Sequence, residues 1–350
     1  MAKYIYEHTN WTAFTWQYKA INAVFGEVRH MQGKAIGQMN MLGFSAKEEA
    51  TLTTLTLDVV KSSEIEGEIL NYNQVRSSIA RRLGINTGEL IPSSRHIEGI
   101  VEMMLDATQR YHFPLTEERL FGWHAALFPT GYSGPYKIEV AKYRTGEMQI
   151  VSGAMGKEKV HYEAIKPELV KTEMDQFLDW FNNDNVLDPV VKAAIAHFWF
   201  IIIHPFDDGN GRIGRALTDM LLARSEGSGE RFYSMSAQIL TERKRYYEVL
   251  QKVQHSSGDI TEWLEWFLHC LKNAMLVSED ITHRVIRKSE FWKLHEQTGI
   301  NERQRMMLNK LFDGFDGKLQ TSKWAKITKT SKDTALRDIK ALLEMGILKQ

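Results

Sequence analysis

The sequence has little cysteine and no excess charge of either sign, and each shortage removes a class of protein. Cys270 is the only cysteine among 350 residues, so no internal disulfide can form and no zinc site can rest on thiolates. This usage suits a reducing compartment and predicts a cytoplasmic protein. Basic and acidic residues number 44 each, which excludes a strongly basic footprint for nucleic acid over the whole chain.

Long hydrophobic runs are also lacking. The longest, residues 193–203, contains His197 and is far shorter than the roughly 20 residues that a membrane span needs. The first residues do not combine a basic start with an apolar core, so no signal peptide is expected. We therefore expect a soluble globular protein with no membrane segment.

Proline is scarce as well, with 7 in the chain, and apolar residues recur every three and four positions. This pattern predicts a mainly α-helical protein. The single β-like stretch, residues 142–161, is predicted to be a hairpin that turns near residues 152–156. We expect three regions: an N-terminal helical region (1–110), a catalytic core (111–285) and a winged helix-turn-helix (290–350). The predicted helices cover approximately residues 45–66, 73–83, 96–110, 116–127, 168–182, 189–203, 210–227, 241–254 and 261–285.

The most polar segment follows directly on the most apolar one. Residues 204–215 form the sequence HPFDDGNGRIGR. His204 ends the apolar helix, and a free imidazole has a pKa near ~6.5, which suits a general base at neutral pH. The glycines precede a new helix, whose first backbone N–H groups lack carbonyl partners and attract anions.

Charged side chains in the same segment complete a phosphate site. Arg212 and Arg215 lie three residues apart on the first turn of the new helix, and guanidinium groups suit phosphate oxygens. Asp208 offers a hard oxygen ligand for Mg²⁺. A base, a metal ligand and a phosphate cradle together predict attack by a hydroxyl group on a nucleotide phosphate.

Residues 204–215 resemble the Fic signature, His-Pro-Phe-x-Asp-Gly-Asn-Gly-Arg-x-x-Arg, with every fixed position filled, and the resemblance extends over about residues 115–271. It implies a Fic-type helical bundle that moves AMP from ATP to a serine, threonine or tyrosine hydroxyl of a target protein. His204 would be the base, Asp208 the Mg²⁺ ligand, and the protein a homodimer. The residues implied to bind phosphate are Asp208, Gly209, Asn210, Gly211, Arg212, Ile213, Gly214 and Arg215.

The resemblance implies two further contacts with substrates. The stretch RKRYYEVL places Tyr246 and Tyr247 on the adenine side of the site. The predicted hairpin falls where the family has its flap, which binds the target segment by strand addition. The sequence HYEA at residues 161–164 differs from the common His-x-Pro-Pro of the flap. The flap residues are Ile150, Val151, Ser152, Gly153, Val160 and His161.

An upstream segment resembles the family's inhibitory motif, Ser/Thr-x-x-x-Glu-Gly/Asn. The sequence SSEIEGE at residues 62–68 supplies Ser62, Glu66 and Gly67. The resemblance implies that Glu66 pairs with Arg215 and denies that arginine to the γ-phosphate of ATP. Alternatively, Glu66 is a solvated acid at a helix end and Ser62 a surface cap. Related members also use this glutamate to remove AMP, an activity that the sequence leaves open.

The last segment of the chain is predicted to fold as a separate helix-turn-helix. Residues 290–350 hold 12 basic and 8 acidic residues, a net charge of +4. Residues 331–337 could contact DNA, but Asp333 and Asp338 argue against a phosphate-rich partner, so a protein-docking module is the alternative. For the whole chain, an adenylyltransferase competes with a nucleotide-sensing transcriptional regulator and with a Fic enzyme that uses another nucleotide donor.

Overall fold

The computed structural model describes residues 2–87, 90–152, 159–312, 315 and 317–349. The predicted helical architecture is confirmed. The helices are α1 (Tyr18–Met41), α2 (Phe44–Ile65), α3 (Tyr72–Leu83), α4 (Arg95–Gln109), α5 (Glu117–Leu127), α6 (Pro167–Asn183), α7 (Pro189–Ile203), α8 (Asn210–Glu226), α9 (Met235–Thr241), α10 (Arg243–Val253), α11 (Thr261–Leu294), α12 (Glu302–Phe312), α13 (Thr321–Ile327) and α14 (Lys332–Glu344).

Two short antiparallel hairpins accompany the helices. Strands β1 (Tyr132–Ser133) and β2 (Tyr136–Lys137) form the first, which the sequence analysis missed. Strands β3 (Gln149–Ser152) and β4 (Lys159–Glu163) form the predicted hairpin, with a register shift between Ile150 and Val151. Residues 153–158, including Gly153 at the predicted turn, lie outside the described residues.

The chain divides into two compact units. The first contains the residues up to Met41 together with Lys47–Ser278, and the second contains Leu42–Ala46 together with the residues from Glu279 onward. The N-terminal helices and the site motif therefore belong to the same unit. None of the described helices combines the length and the apolar character that crossing a membrane requires.

Helix α7 is the centre of the first unit because nearly all its side chains are buried. Asp188 caps it, accepting a hydrogen bond from the Val190 backbone N–H at 2.8 Å, and Pro189 occupies its first turn. The following helix, α8, packs closely on it: a Cβ added at Gly214 would lie 3.3 Å from Ile201 Cδ1. This close packing fixes the loop between the two helices, which carries the polar motif.

The second unit contains a helix-turn-helix, in which residues 328–331 join α13 to α14. Its apolar core includes Met307, Leu308, Trp324 and Leu342. Ser331 caps α14 as predicted, accepting from the Thr334 backbone N–H at 3.2 Å. No strand occurs in the described part of this unit, so the wing stays a prediction.

The expectation that Asp338 faces a partner of the helix-turn-helix is wrong. Asp338 is 5% exposed, and its carboxylate accepts hydrogen bonds from Arg303 at 2.9 and 3.1 Å and from the Asn301 side chain at 3.1 Å. A short acid on a helix face that packs against α12 is neutralised within the fold. Asp338 therefore adds no repulsion toward a phosphate-rich partner, whereas Asp333 remains exposed.

Candidate active site

His204 ends α7 in the left-handed region, with φ 50° and ψ 60°. A non-glycine residue held there carries strain on the order of 1–3 kcal/mol, which is common at functional sites. Its Nδ1 lies 3.3 Å from the Ile201 carbonyl oxygen, which can only accept a hydrogen bond. The neutral ring therefore carries its proton on Nδ1, which leaves Nε2 as a proton acceptor. Enclosure by neighbouring atoms lowers the pKa of His204 to about 4, so the ring is neutral at physiological pH.

Arg144, which the sequence analysis did not single out, holds the loop that carries His204. Its Nε donates to the His204 carbonyl at 2.7 Å, and its backbone N–H donates to the Pro205 carbonyl at 2.9 Å. Other guanidinium nitrogens donate to the carbonyls of Ile165 and Gly146. A single buried side chain thus gathers backbone carbonyls from three segments and fixes the turn.

Asp208 is held by neutral groups. The Gly209 backbone N–H donates to its Oδ1 at 2.5 Å, and the Ser133 hydroxyl of the β1–β2 hairpin donates to its Oδ2. Buried His124 accepts from the Ala141 backbone N–H at 3.1 Å through Nδ1, so its Nε2 donates to the Asp208 carbonyl, also at 3.1 Å. Burial lowers the pKa of His124 to about 4, so this bridge uses a neutral ring.

Asn210 braces the loop rather than pointing freely outward. Its amide donates to the Phe206 carbonyl at 2.7 Å and accepts from the Phe206 backbone N–H at 3.0 Å. The residue before it, Gly209, has φ +85°, which a β-carbon would strain. The side chain of Asn210 is therefore engaged, and the backbone N–H groups at the start of α8 remain as the anion-attracting groups.

Arg215 is gripped by the segment that resembles the inhibitory motif. Its side chain is 2% exposed; Nε donates to the Ser62 hydroxyl at 2.8 Å, and Nη2 donates to the Ser62 carbonyl at 2.9 Å. Nη2 also lies 2.7 Å from Glu66 Oε1. A Cβ added at Gly211 would lie only 2.1 Å from that carboxylate oxygen. The Glu66 carboxylate thus rests on the first turn of α8, where the sequence predicts phosphate binding.

Arg212 is also paired with a glutamate of this segment, a contact that the sequence analysis missed. Its Nη1 lies 3.2 Å from Glu68 Oε2, and its guanidinium lies 5.0 Å from the centre of the Phe128 ring. The other oxygen of Glu68 meets His96 Nε2 of α4. This hydrogen bond is the main reason that the pKa of Glu68 is lowered, so its carboxylate is charged at neutral pH.

The contacts between α2 and α8 form an antiparallel ladder. Glu66 meets the start of α8, Ser62 meets Arg215, and Asp58 is linked to Asp219 through Arg231. Arg231 Nη2 lies 2.6 Å from Asp219 Oδ1 and 3.5 Å from Asp58 Oδ2. The positions are four residues apart along both segments, with Glu66 one residue beyond the end of α2, and this spacing keeps them on one face. The segment from Asp58 to Glu66 is therefore anchored along two turns of α8.

The two predicted adenine-side tyrosines differ in exposure. Tyr246 is 2% exposed, and its hydroxyl lies 2.9 Å from Nε2 of buried His197. Tyr247 is 42% exposed, and its ring lies 5.8 Å from the Arg243 guanidinium carbon. Of the two, Tyr247 has the ring that a nucleobase could reach, whereas Tyr246 supports the core beneath it.

The residues around Asp208 fit a magnesium ion that arrives with a nucleotide. The described residues contain no group of three or more His, Cys, Asp or Glu side chains placed to hold a metal. Mg²⁺ in phosphate-transfer sites uses one or two carboxylates, with the substrate's phosphates and water as its other ligands. Asp208, a partly exposed carboxylate beside the start of α8, meets that requirement.

Two stretches of the chain match known families. Residues 114–222 match the Fic/DOC family, and residues 4–85 match a domain of unknown function, DUF4172. The chain contains a Fic domain. His204, Arg212 and Arg215 lie inside the Fic domain, whereas Ser62, Glu66 and Glu68 lie in the other match. The ion pairs described above therefore join the two matched segments within one compact unit.

Relatives of the Fic domain carry names that state an activity. Protein adenylyltransferase fic-1 of Caenorhabditis briggsae is 28% identical over 183 residues, which cover 49% of this chain and 32% of that protein. Protein adenylyltransferase Fic of Drosophila willistoni is 26% identical over 245 residues, which cover 69% of this chain and 44% of that protein. The chain thus spans a third to a half of the length of these relatives.

Solved structures support the Fic fold. A Fic family protein from Desulfovibrio desulfuricans superposes with a TM-score of 0.56 at 22% identity, covering 93% of this chain and 89% of that one. Fic-1 from Caenorhabditis elegans superposes with a TM-score of 0.52 at 23% identity, covering 77% of this chain and 74% of that one. The predicted fold class is confirmed by these matches.

Proposed function

We propose that this protein is an adenylyltransferase that moves AMP from ATP to a serine, threonine or tyrosine hydroxyl of a target protein. One observation carries the proposal: a neutral imidazole with a free Nε2 and an anion-attracting helix start flank one short loop. The names of the relatives support the same activity.

In the proposed reaction, His204 Nε2 takes the proton of the target hydroxyl as the hydroxyl oxygen attacks the α-phosphorus of ATP. The new oxygen–phosphorus bond forms as the bond to the β-phosphate oxygen breaks, which yields AMP-modified protein and pyrophosphate. The α8 N–H groups, Arg212 and Arg215 bind the departing phosphates and balance their charge. Mg²⁺, held by Asp208, supplies further charge neutralisation when bound.

The target would be held by the β3–β4 hairpin. An exposed strand can pair with an extended peptide through its backbone, while side-chain pockets choose the sequence. Val160 is exposed on β4, and Ile150 packs partly against the core. The side chains of Val151, Ser152 and His161, together with Gly153, lie outside what the structure describes. That these six hairpin residues contact the target is a proposal.

Autoinhibition by Glu66 belongs to the same proposal. Its carboxylate pairs with Arg215 and rests against Gly211, so the γ-phosphate of ATP and this carboxylate would compete for one place. A nucleotide that binds elsewhere presents its α-phosphorus out of line with the attacking hydroxyl. The alternative at this site is the reverse direction, in which Glu66 helps to remove AMP from a modified protein.

The proposal is tested with ATP labelled on the α-phosphate, in the presence of Mg²⁺. Wild type, Glu66→Gly, His204→Ala and the double variant are compared for label on the protein itself and on proteins of a cell extract. We expect label with Glu66→Gly and none once His204 is replaced. Label that persists after His204→Ala would contradict the role of the base, and a folded Glu66→Gly protein that never labels would contradict the transferase.

A nucleotide-sensing regulator that binds DNA through the second unit is the alternative function. The burial of Asp338 favours it more than the sequence did, because one of the two opposing acids is neutralised inside the fold. The exposed basic residues of the helix pair include Lys329, Lys332 and Arg337. Retention of the protein on double-stranded DNA without any transfer of label would favour this regulator, and a protein-docking role predicts no retention.

A further inference from the structure

One short segment engages both arginines of the Fic motif. Glu66 lies 2.7 Å from Arg215, and Glu68, two residues later, lies 3.2 Å from Arg212. The inhibitory motif that the sequence resembles ends at Gly67 and does not include Glu68. The two arginines are the side chains that the proposed mechanism assigns to the departing phosphates. Both are therefore committed to carboxylates in this structure.

The contact of Glu68 is built rather than incidental, because the carboxylate is held on both oxygens. His96 Nε2 meets Oε1, and Arg212 Nη1 meets Oε2. His96 lies in the first turn of α4, and that helix packs against both α5 and α8. The residue that meets Glu68 is therefore carried by a packed helix rather than by a loop, although its own side chain is 35% exposed.

Arg212 has unused capacity at this position. Its side chain is buried over the Phe128 ring, and its Nε finds no hydrogen-bond partner among the described residues. Arg231, which is paired with Asp219 and Asp58, also keeps donors that are unpaired within the described part of the chain, so this feature alone does not mark a ligand site. For Arg212 it means that one donor is still available to a phosphate oxygen.

We propose that Glu68 is a second inhibitory carboxylate, which His96 positions on Arg212 as Glu66 is positioned on Arg215. The proposal rests on the proposed function, because it assigns both arginines to the phosphates of the nucleotide. Full access of a triphosphate then requires both carboxylates to leave, and release of Glu66 alone yields a partly inhibited enzyme. The opposite arrangement, in which Glu68 orients Arg212 for catalysis, predicts the opposite effect of replacing it.

The experiment compares Glu68→Gln, which keeps the shape and removes the charge, with Glu64→Gln as the matched control. Glu64 lies in the last turn of α2, four residues before Glu68, is partly exposed and pairs with Lys61 at 2.7 Å rather than with a motif arginine. ATP–Mg²⁺ binding is measured by calorimetry in a His204→Ala background, with and without Glu66→Gly. Thermal melting of each variant checks the fold.

We expect Glu68→Gln to tighten ATP binding by about fivefold or more in the Glu66→Gly background, the lower end of the usual coupling between sites. Glu64→Gln should leave it unchanged. With His204 intact, labelling by Glu66→Gly/Glu68→Gln should exceed labelling by Glu66→Gly. Weaker or unchanged ATP binding in the folded Glu68→Gln protein would overturn the second inhibitory carboxylate.

His96→Gln tests the positioning role. If His96 acts through Glu68, the substitution tightens ATP binding in the Glu66→Gly background and adds nothing once Glu68 is already glutamine. Additive effects of the two substitutions would contradict this role. Tighter ATP binding without any transfer of label would leave the second carboxylate standing and overturn the transferase. Label transfer by Glu66→Gly, together with no effect of Glu68→Gln on ATP binding, would support the transferase and overturn the second inhibitory carboxylate.

Discussion

The two sides of the active site are prepared in opposite ways. On the base side, Arg144 donates to the His204 carbonyl, while His124 and Ser133 donate to the carbonyl and the carboxylate of Asp208, and His204 Nε2 stays open. On the phosphate side, both arginines are paired with carboxylates. Under the proposed function, the difference means that the base is oriented in advance while the place for the phosphates is occupied by carboxylates.

This contrast follows from what each group must do. A base is most effective when its ring is oriented before the substrate arrives. A preformed turn around His204 therefore does not interfere with regulation elsewhere in the site. A guanidinium binds any carboxylate or phosphate that reaches it, so an internal glutamate can occupy it in place of the nucleotide. Control of the site is therefore simplest on the charged side.

Replacing His204 should have the largest effect. In the Glu66→Gly background, His204→Ala should lower the rate of label transfer by about 10²–10⁴-fold, the usual contribution of a general base. ATP binding should change little because the phosphate side is untouched. Rates are measured from initial label incorporation. If ATP binding fell as much as the rate, His204 would contribute to nucleotide binding, and the assignment of separate roles to the two sides would be wrong.

Releasing the phosphate side should have the next largest effect, in the opposite direction. Glu66→Gly should raise labelling on the order of 100-fold, since a displacement of ~1 Å from the in-line geometry costs about that much. Glu64→Gly, a change of the same kind two residues earlier, serves as the control and should leave labelling near the wild-type level. Equal labelling by wild type and Glu66→Gly, with both folded, would remove the inhibitory role.

Loosening the base side should have a smaller effect. Arg144→Lys keeps the positive charge and loses the planar fork that gathers several carbonyls. In the Glu66→Gly background we expect a fall in the labelling rate on the order of tenfold, less than a full ångström of displacement would cause. Circular dichroism and melting curves verify folding. An unchanged rate in a folded variant would show that the turn keeps its shape without the clamp.

The pH dependence should show the smallest change. Because enclosure lowers the pKa of His204 to about 4, its ring stays neutral as pH falls from 8 to 5.5. An unshifted imidazole with a pKa near ~6.5 would be only about one-tenth neutral at pH 5.5. The labelling rate of Glu66→Gly at subsaturating ATP should therefore stay nearly flat over this range. A tenfold fall in the labelling rate centred near pH 6.5 would mean that the pKa of His204 is not lowered.

Local patterns were enough to predict the framework of the site. The cap at Asp188, the apolar helix behind it and the glycines before α8 are neighbours in sequence, and the structure has α7 and α8 at nearly the predicted bounds. Helix α1 (Tyr18–Met41) was missed although it is 24 residues long. It contains three glycines and many polar residues, so tertiary packing rather than local preference accounts for it.

Contacts between distant segments could not be predicted from one sequence. Arg144 holds His204 across 60 positions, His124 reaches Asp208 across 84, and Glu68 reaches Arg212 across 144. No spacing within the chain signals such pairs; Glu66 and Arg215 were paired only because both fell in motifs of a known family. Asp338 shows the converse error, since a charged residue on a predicted recognition helix turned out to face inward.

Under the proposed autoinhibition, the ladder between α2 and α8 makes the inhibitor part of the same polypeptide as the site that it blocks. Each molecule would then carry its own blocking group in a fixed one-to-one ratio, so dilution or overproduction would not alter the inhibited fraction. The four-residue spacing of these contacts also makes the pairing of Glu66 with Arg215 sensitive to insertions in α2. One residue inserted between Asp58 and Ser62 would rotate the end of α2 by about 100° and turn Glu66 away from Arg215, although every residue of the motif is still present.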